Sequence, residues 1–305
     1  MDRLQANKER ITYLLQKLAV AEGVQQSILD GVKLMRAQQS FPRMQVMYDP
    51  SIVIVGRGTK RGYVGNQTFT YDRDNYLVLS LPMPFECETE AAPDGPMVAV
   101  SVRVDLPTVA ELLMQMEHKP VVESGEEPLS MYATPLDEKL SDATARLLEC
   151  MQSPEEAQIM GPPLMREMTY RVLLGPQGGA LRSLISMNSR VSEIHRAVQR
   201  MHFQYDEQLD VATLASSIGM SQSLFHHAFK SVTGTSPLQY LKTIRLHKAK
   251  ALIVHEGFGA RAAAERVGYE SASQFSREFK RFFGESPRDQ ATKERAILGL
   301  QVAQR

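Results

Sequence analysis

The sequence lacks the marks of a membrane, secreted or disulfide-stabilised protein. No stretch approaches ~18 uncharged apolar residues, the length that a membrane span needs. The first twenty residues carry scattered charges rather than the apolar block of a secretory signal. The two cysteines, Cys87 and Cys150, form neither a disulfide framework nor a metal-binding pattern. We therefore predict a cytoplasmic protein without a membrane partner.

Net charge of one sign is also absent, but the zero total hides a split. Residues 188–305 hold 17 Lys and Arg against 11 Asp and Glu, so residues 1–187 carry the opposite imbalance. Six of the seven histidines also lie beyond residue 187. A basic C-terminal part beside an acidic N-terminal part is typical of a nucleic-acid module joined to another domain. A charge that serves only solubility gives the same balance.

Short β-branched and aromatic runs dominate residues 44–105. The runs SIVIVGR, YVGNQTFTY, YLVLSL and MVAVSVRVDL are separated by Gly, Asn, Asp and Pro, which predicts strands joined by turns. In residues 97–106 valines alternate with Ala, Ser, Arg and Asp, as in a half-buried strand. Several such runs at short spacing predict a small antiparallel sandwich or barrel.

Helical patterns flank this β-rich region. Residues 3–20 show a helical apolar period. The segments PTVAELLMQM, PLDEKLSDATARLLECM and PPLMREMTYRVLL begin at prolines, which suit a first helical turn. An apolar stripe on the second segment either forms a dimer or interdomain seam or covers the β-rich domain. Its members are Leu136, Leu140, Leu147 and Met151. Gly and Pro in residues 175–179 then break the pattern and mark a linker.

The C-terminal third contains an internal repeat. Eight residues recur at an offset of 50, where Ser221, Ser223, Phe225, Phe229, Lys230, Gly234, Ser236 and Pro237 return as Ser271, Ser273, Phe275, Phe279, Lys280, Gly284, Ser286 and Pro287. Three more recur at an offset of 49, where Ala215, Ile218 and Gly219 return as Ala264, Val267 and Gly268. One residue is therefore inserted between the glycine and the serine. The match indicates two copies of one helical unit.

Each copy has the layout of a helix-turn-helix. In the first copy Gly219 permits a turn, Ser221 can cap the next helix, and residues 222–231 form that helix. Apolar residues at helical spacing form a buried stripe in each copy, namely Phe225, Ala228, Phe229 and Val232, and then Phe275, Phe279, Phe282 and Phe283. The segment 238–254 contains no Gly or Pro, which predicts a continuous connecting helix.

Polar side chains lie opposite the buried stripes. Such a face suits a major groove, where Ser and His reach base edges and Arg277 can bind a guanine through two hydrogen bonds. The candidates for phosphate contacts are Lys230, Lys280 and Arg281. For a lone helix a merely solvated face is the better interpretation. The repeat, the basic balance and the shared layout favour DNA binding instead.

Residues 190–290 resemble the DNA-binding domain of the AraC/XylS family of bacterial regulators. The resemblance rests on VGYESASQFSREFKRFFGESPRD and on MSQSLFHHAFKSVTGTSPLQYLKTIRLHKAKALI. By this resemblance, the base-contacting positions are Ser223, His226, His227, Ala272, Ser273, Ser276 and Arg277. Ala272 is apolar where relatives often carry a polar residue, so it can contact only a thymine methyl group or nothing.

Residues 20–175 resemble the effector-binding domain of one AraC subgroup, through YDPSIVIVGRGTKRGYVG, YDRDNYLVLSLPMP and MREMTYRVLLGPQGG. The resemblance implies a cupin-like β-barrel with helices that help dimerise. Residues 1–117 contain no histidine, so the His/Glu ligand set of a metal-dependent cupin enzyme is missing. There is also no Ser-His-Asp order and no phosphate-cradling loop. We therefore expect no enzyme activity, no metal and no cofactor. An enzyme function, such as an isomerase or a dioxygenase, ranks third behind the two regulator hypotheses given below.

Tyrosines and arginines of the β-rich region can line an effector pocket, although ordinary sheet surface is the alternative interpretation. They are Tyr48, Arg57, Arg61, Tyr63, Tyr71, Arg73 and Arg103. Cys87 is either a redox or electrophile sensor or an inert buried thiol.

The sequence thus predicts a two-domain α+β protein. Residues 1–180 form a cupin-like effector-binding and dimerisation domain, and residues 181–305 form an all-α DNA-binding domain with helix-turn-helix units near 209–231 and 259–282.

The first hypothesis is a sequence-specific transcription regulator that reads two successive major-groove segments per protomer and responds to a small-molecule effector. In the alternative, the N-terminal domain only dimerises. The partners are promoter or operator DNA, RNA polymerase and a second copy of the chain. The effector, the operator and the sign of regulation are not specified.

Overall fold

The chain divides into two compact units in the computed structural model, which describes residues 2–116, 130–176, 178–185 and 190–298. The first unit comprises Met1–Arg43 and Tyr48–Ser192, and the second comprises Met44–Met47 and Glu193–Arg305. Strands and helices build the first unit, whereas the second is helical from Glu193 onward. The predicted two-domain α+β fold class is confirmed. The first unit reaches Ser192, whereas the predicted domain boundary lies at residue 180.

The described strands form two sheets. They are β1 (Gly23–Gln26), β2 (Val32–Ala37), β3 (Phe41–Tyr48), β4 (Ser51–Arg57), β5 (Thr59–Val64), β6 (Gln67–Tyr71), β7 (Asn75–Leu79), β8 (Met83–Glu90), β9 (Met97–Arg103) and β10 (Met131–Pro135). One sheet has the order β1-β2-β9-β4-β7-β10 and the other has the order β3-β8-β5-β6. Strands were predicted across 44–105, so β1, β2 and β10, which lie outside that range, were missed.

One described helix of the first unit precedes the strands and packs on the larger sheet, and the others come after β9. They are α1 (Arg3–Leu18), α2 (Leu106–Gln115), α3 (Glu138–Cys150), α4 (Pro154–Leu174) and α5 (Gly178–Ser183). Helix α1 lies on β4, where the Thr12 hydroxyl donates to the Gly56 carbonyl at 2.6 Å. A side chain at Gly56 would overlap Leu15 of α1, so glycine permits this close approach. The β4 strand is therefore covered on the α1 side, and Ser51–Gly56 are buried throughout.

The apolar stripe of α3 is buried within the first unit. Leu140 and Leu147 are fully buried, and α3 packs against α1 and α4. The stripe is therefore buried against helices of its own unit, whereas the sequence offered a dimer or interdomain seam or a cover for the β-rich domain. Two other boundaries differ from prediction. Helix α4 begins at Pro154 and continues through Pro162 and Pro163, where the sequence predicted a start. Part of the predicted linker is the short helix α5, whose Leu181 is fully buried.

The second unit contains α6 (Arg190–Phe203), α7 (Val211–Ser217), α8 (Gln222–Thr233), α9 (Pro237–His255), α10 (Ala260–Arg266), α11 (Ala272–Phe283) and α12 (Pro287–Leu298). The predicted connecting helix is confirmed as α9, which Ser236 caps by accepting from the Gln239 N–H at 3.4 Å. Tyr240 of α9 packs against Phe229 of α8, with ring centroids 5.3 Å apart. Further along α9, Leu246 and Ile253 join the core formed with α10, α11 and α12. Helix α9 thus contributes to the packing of both repeated units.

Candidate nucleic-acid interface

Each repeated unit has a second helix whose two ends are set by local residues. Ser221 and Ser271 each accept a hydrogen bond from the backbone N–H three residues later, at 3.3 Å in both cases. Gly234 and Gly284 end the helices with left-handed φ values of 74° and 85°. These are the N-cap and C-cap geometries that serine and glycine favour. The repeat therefore encodes two matching helices, α8 and α11.

A left-handed glycine also forms the turn before each of these helices. Gly219 has φ +74° and Gly268 has φ +79°. A non-glycine residue rarely adopts this conformation, because its Cβ approaches the following carbonyl oxygen. The pairs α7–α8 and α10–α11 thus form the two predicted helix-turn-helix units. Helix α8 runs two residues further than predicted, to Thr233.

Phenylalanines anchor both helices in the core of the second unit. Phe225 and Phe229 of α8 are fully buried, and their ring centroids lie 5.4 Å apart. Phe275 and Phe279 of α11 are also fully buried, at 5.5 Å. Because the buried stripe faces the core, the opposite face of each helix meets solvent.

The predicted base and phosphate contacts lie mostly on this exposed face. Exposed residues are Ser223, His226, His227 and Lys230 on α8, and Ser273, Arg277, Lys280 and Arg281 on α11. Within the described chain, no carboxylate forms an ion pair with Lys230, Arg277 or Lys280. These three cations are therefore available to a phosphate or a base edge.

Two predicted contact residues are only half exposed. Ala272 packs in part against the core around Phe275 and Phe279. The hydroxyl of Ser276 donates to the Ala272 carbonyl at 2.9 Å. A base contact from Ser276 must therefore use its remaining acceptor capacity or break this bond. Of the four base-contacting residues predicted on α11, Ser273 and Arg277 are thus fully exposed, and Ala272 and Ser276 are not.

A half-buried carboxylate, absent from the predicted site, holds α11 in place. Glu278 accepts from Lys242 of α9 at 3.1 Å, from the Tyr269 hydroxyl at 3.0 Å and from Gln274 at 3.1 Å. Burial would raise the pKa of Glu278, but the bonds from Gln274, Lys242 and Tyr269 outweigh it and hold the pKa below its ordinary value. The repeat places buried Ala228 at the matching position of α8. The two recognition helices are thus anchored differently.

The seven residues predicted for an effector pocket are not brought together. Arg61 and Tyr63 lie on the outer face of β5 and bind Glu88 of β8, with the Tyr63 hydroxyl 2.6 Å from its carboxylate. The others outside the interior also have acidic neighbours, as Arg57 pairs with Asp94, Arg73 with Glu9 and Arg103 with Asp30. Strand residues alternate between faces, so neighbouring positions on β5 point to opposite sides.

Tyr48 and Tyr71, by contrast, share a cluster with residues that the sequence reading missed. The Tyr71 hydroxyl lies 3.4 Å from the Cys87 sulfur. Lys60 is buried beside them and donates to Thr89 at 2.7 Å. Of the seven predicted residues, Tyr48 and Tyr71 thus lie in one interior cluster, and Lys60 lies beside them.

The described residues contain no group of three or more His, Cys, Asp or Glu side chains placed to hold a metal ion. Among the described helices, none is long and apolar enough to cross a membrane.

Comparison with known proteins identifies the class to which this chain belongs. A family model described as the AraC-type transcriptional regulator N-terminus matches residues 28–180, half of the chain. A helix-turn-helix domain model matches residues 214–292, which cover the second unit and most of the first. The chain therefore belongs to the AraC-type transcriptional regulators, a family of regulators rather than of enzymes. This confirms the resemblance to the AraC/XylS family.

Among curated proteins, the chain is similar to the transcriptional regulator AlkR of Acinetobacter baylyi, with 34% identity over 96 residues, or 32% of this chain and 31% of AlkR. It is 26% identical to the transcriptional activator RhaS of Escherichia coli over 145 residues, or 47% of this chain and 51% of RhaS. The chain thus spans between about a third and a half of the length of these relatives.

A solved structure shares the fold of both units. It is ToxT of Vibrio cholerae with a bound unsaturated fatty acid, which matches with a TM-score of 0.63 and 13% identity over 90% of this chain and 97% of ToxT. At this identity the match speaks for the fold alone.

Proposed function

We propose that this protein is a sequence-specific DNA-binding transcription regulator that reads two successive major-groove segments with α8 and α11. The observation that carries the proposal is the duplicated helix-turn-helix, in which each second helix buries its phenylalanines and exposes a polar, partly cationic face. Ser223, His226 and His227 would read the first segment, and Ser273 and Arg277 the second. Domain boundaries at 1–180 and 181–305 and a homodimer that recruits RNA polymerase belong to the same proposal.

The connecting helix supports the spacing of the two segments. Helix α9 has 19 residues, and at about 1.5 Å per residue it spans roughly 28 Å. Successive major grooves on one face of DNA lie ~34 Å apart. Because α9 packs against both units, it holds the recognition helices in a fixed relation. One protomer should therefore read an asymmetric site of two segments about one helical turn apart.

The test begins with in vitro selection of DNA sites by the full-length protein, followed by footprinting on the selected site. We expect two protected major-groove segments per protomer. Arg277→Ala should relax sequence preference in one segment, and His226→Ala should relax it in the other. Lys17→Ala, which removes an exposed cation from α1, is the control and should leave the footprint unchanged. A single protected segment per protomer, or a strict need for a palindrome, would contradict the proposal.

The N-terminal unit, in this proposal, binds a small-molecule effector. ToxT shares the fold and holds an unsaturated fatty acid in its solved structure, so such a fold can accommodate a small molecule. The alternative is a regulator whose N-terminal unit only dimerises. A ligand that raises the melting temperature of the protein and changes its DNA affinity would favour the first. Dimers that bind DNA without any ligand response would favour the second.

A further inference from the structure

The inner face of the smaller sheet carries a lysine in an environment that lysine rarely occupies. Lys60 lies on β5 directly opposite Tyr71 of β6 and Thr89 of β8, so the three side chains share one face. Lys60 is only 6% exposed, and Tyr71 and Thr89 are buried as well. Lysine is almost never fully buried unless it is paired.

The neighbours of the Lys60 ammonium group are hydroxyl and thiol groups. Its Nζ donates to the Thr89 hydroxyl at 2.7 Å, and the Tyr48 and Cys87 side chains lie close enough to affect its pKa. Burial acts to lower the pKa of Lys60, but Tyr48 and Cys87 outweigh burial and hold the pKa above its ordinary value.

No carboxylate in the described chain forms an ion pair with this ammonium. A second lysine of the same unit shows the ordinary arrangement, since Lys8 is 8% exposed and binds Asp74 at 2.6 Å. A buried charge without an opposite charge costs several kcal/mol of folding free energy. A protein keeps such a charge where a ligand supplies the missing partner, which makes Lys60 a candidate functional residue.

We propose that Lys60 is the anchoring cation of the effector site in the N-terminal unit, and that the effector is a small monocarboxylic acid. The inference rests on the effector function proposed above and assigns its chemistry. The hydroxyls of Tyr48 and Thr89 flank the ammonium and can donate to the second carboxylate oxygen. The cluster contains no described arginine. Arginine is the side chain that typically binds phosphate through two parallel bonds, so a carboxylate suits this site better.

The surroundings of the cluster suit an apolar body attached to the carboxylate. Phe85 lies on the same face of β8 as Cys87, two residues away, and its ring packs edge-on against Tyr48 at 5.0 Å. Met131 of β10 reaches the same region, where it approaches Gly62 beside Phe85. Tyr48 is the half-buried member of the cluster and lies on β3, the edge strand of its sheet. The ligand would therefore reach Lys60 past Tyr48.

The experiment compares the melting temperature of the full-length protein with hexanoate, hexanamide, hexylamine or inorganic phosphate, at constant ionic strength. We expect a saturable rise with hexanoate alone. In Lys60→Met the apparent Kd for hexanoate should weaken about ten- to hundredfold, as expected for a lost charged hydrogen bond, so that the rise needs correspondingly more hexanoate. Without any probe, Lys60→Met should melt at the same or a higher temperature, because the unpaired charge is gone. Lys33→Met, which removes a lysine that binds Asp49, is the matched control and should respond as wild type.

Each other result overturns the proposal. An equal shift from hexanamide would show that charge is not recognised, and a shift from phosphate alone would show the wrong anion. An unchanged hexanoate response in Lys60→Met would show binding elsewhere, and no shift in the wild type would exclude the acid class. Lys60→Gln, which keeps a polar end group, serves if the methionine variant does not fold. DNA binding, measured in the same samples, separates these failures from a failure of the regulator function.

Discussion

Gly268 and Gly284 provide a matched pair that separates backbone strain from packing in the second helix-turn-helix. Both residues are left-handed, with φ values of +79° and +85°. An alanine at either position costs about 1–2 kcal/mol of strain. At Gly284 the new methyl group meets no atom within 4 Å, whereas at Gly268 it overlaps the backbone carbonyl of Asp206. Relieving that overlap requires backbone movement, which costs about 1–3 kcal/mol more.

We therefore expect Gly268→Ala to destabilise the second unit by about 2–5 kcal/mol and Gly284→Ala by about 1–2 kcal/mol. Native-state hydrogen exchange of α10 and α11 in the full-length chain is the suitable assay, because a two-unit protein need not unfold in one step. Gly219→Ala, in the first copy, also meets no atom within 4 Å and should behave like Gly284→Ala. Equal losses for all three variants would refute the packing argument and leave strain as the whole effect.

Four further predictions concern the second unit and its DNA contacts. Arg277→Ala should lose ~1–3 kcal/mol of binding free energy, concentrated at one guanine of the selected site; equal loss on every sequence would show a phosphate contact. Phe279→Ala should cost ~3–5 kcal/mol of stability, read by hydrogen exchange, and unchanged protection would mean that Phe279 is not a core residue. Lys280→Ala should lower the slope of log affinity against log salt by about one; an unchanged slope removes it from the phosphate contacts. Burial, then the Lys250 charge, lowers the pKa of His247 to about 3. Because the unfolded chain takes up this proton near pH 6.5, stability should fall by up to ~1.4 kcal/mol per pH unit below that point. His247→Phe should flatten this fall in acid unfolding curves, and an equally steep curve would assign it to other groups.

The helix-turn-helix units were predictable because their signals are local. Serine at the start of a helix and glycine after its end act on backbone groups within a few residues. The recurrence of both at an offset of 50 made the signal visible twice. The buried phenylalanines followed from the helical period alone. The exposed candidate residues then followed as the opposite face.

The interior cluster was not predictable in the same way. Strand pairing places Lys60 beside Tyr71 and Thr89, but no residue pattern near Lys60 indicates the register of β5 with β6 and β8. Composition argues the other way, because lysine is normally exposed. The predicted pocket therefore collected tyrosines and arginines from both faces of the sheet. The pleat separates them, so that Arg61 faces outward while its neighbour Lys60 faces inward.

Packing also outweighed local preference at two helices. The segment GGALRS reads as a linker because of its glycines, yet it forms α5 with buried Ala180 and Leu181. Helix α4 continues through two prolines, where the sequence predicted a start. In α4, Gly161 lies against Leu29, and a larger residue there would overlap it. Such long-range contacts leave no periodic trace in the sequence.

The caps of α8 and α11 have a consequence for how this protein can change over evolutionary time. Each helix begins at a capping serine, ends at a glycine and is anchored by buried phenylalanines, so the other exposed positions contribute little to folding. Exchanging Ser223, His226 or Arg277 for other polar residues should alter the preferred DNA sequence, while the free energy of unfolding changes by no more than about 0.5 kcal/mol. Ser276 is an exception, since its hydroxyl is bonded to the helix backbone. A regulator with two helix-turn-helix units can acquire new target promoters by changes in one unit, while the other unit still binds its original DNA segment.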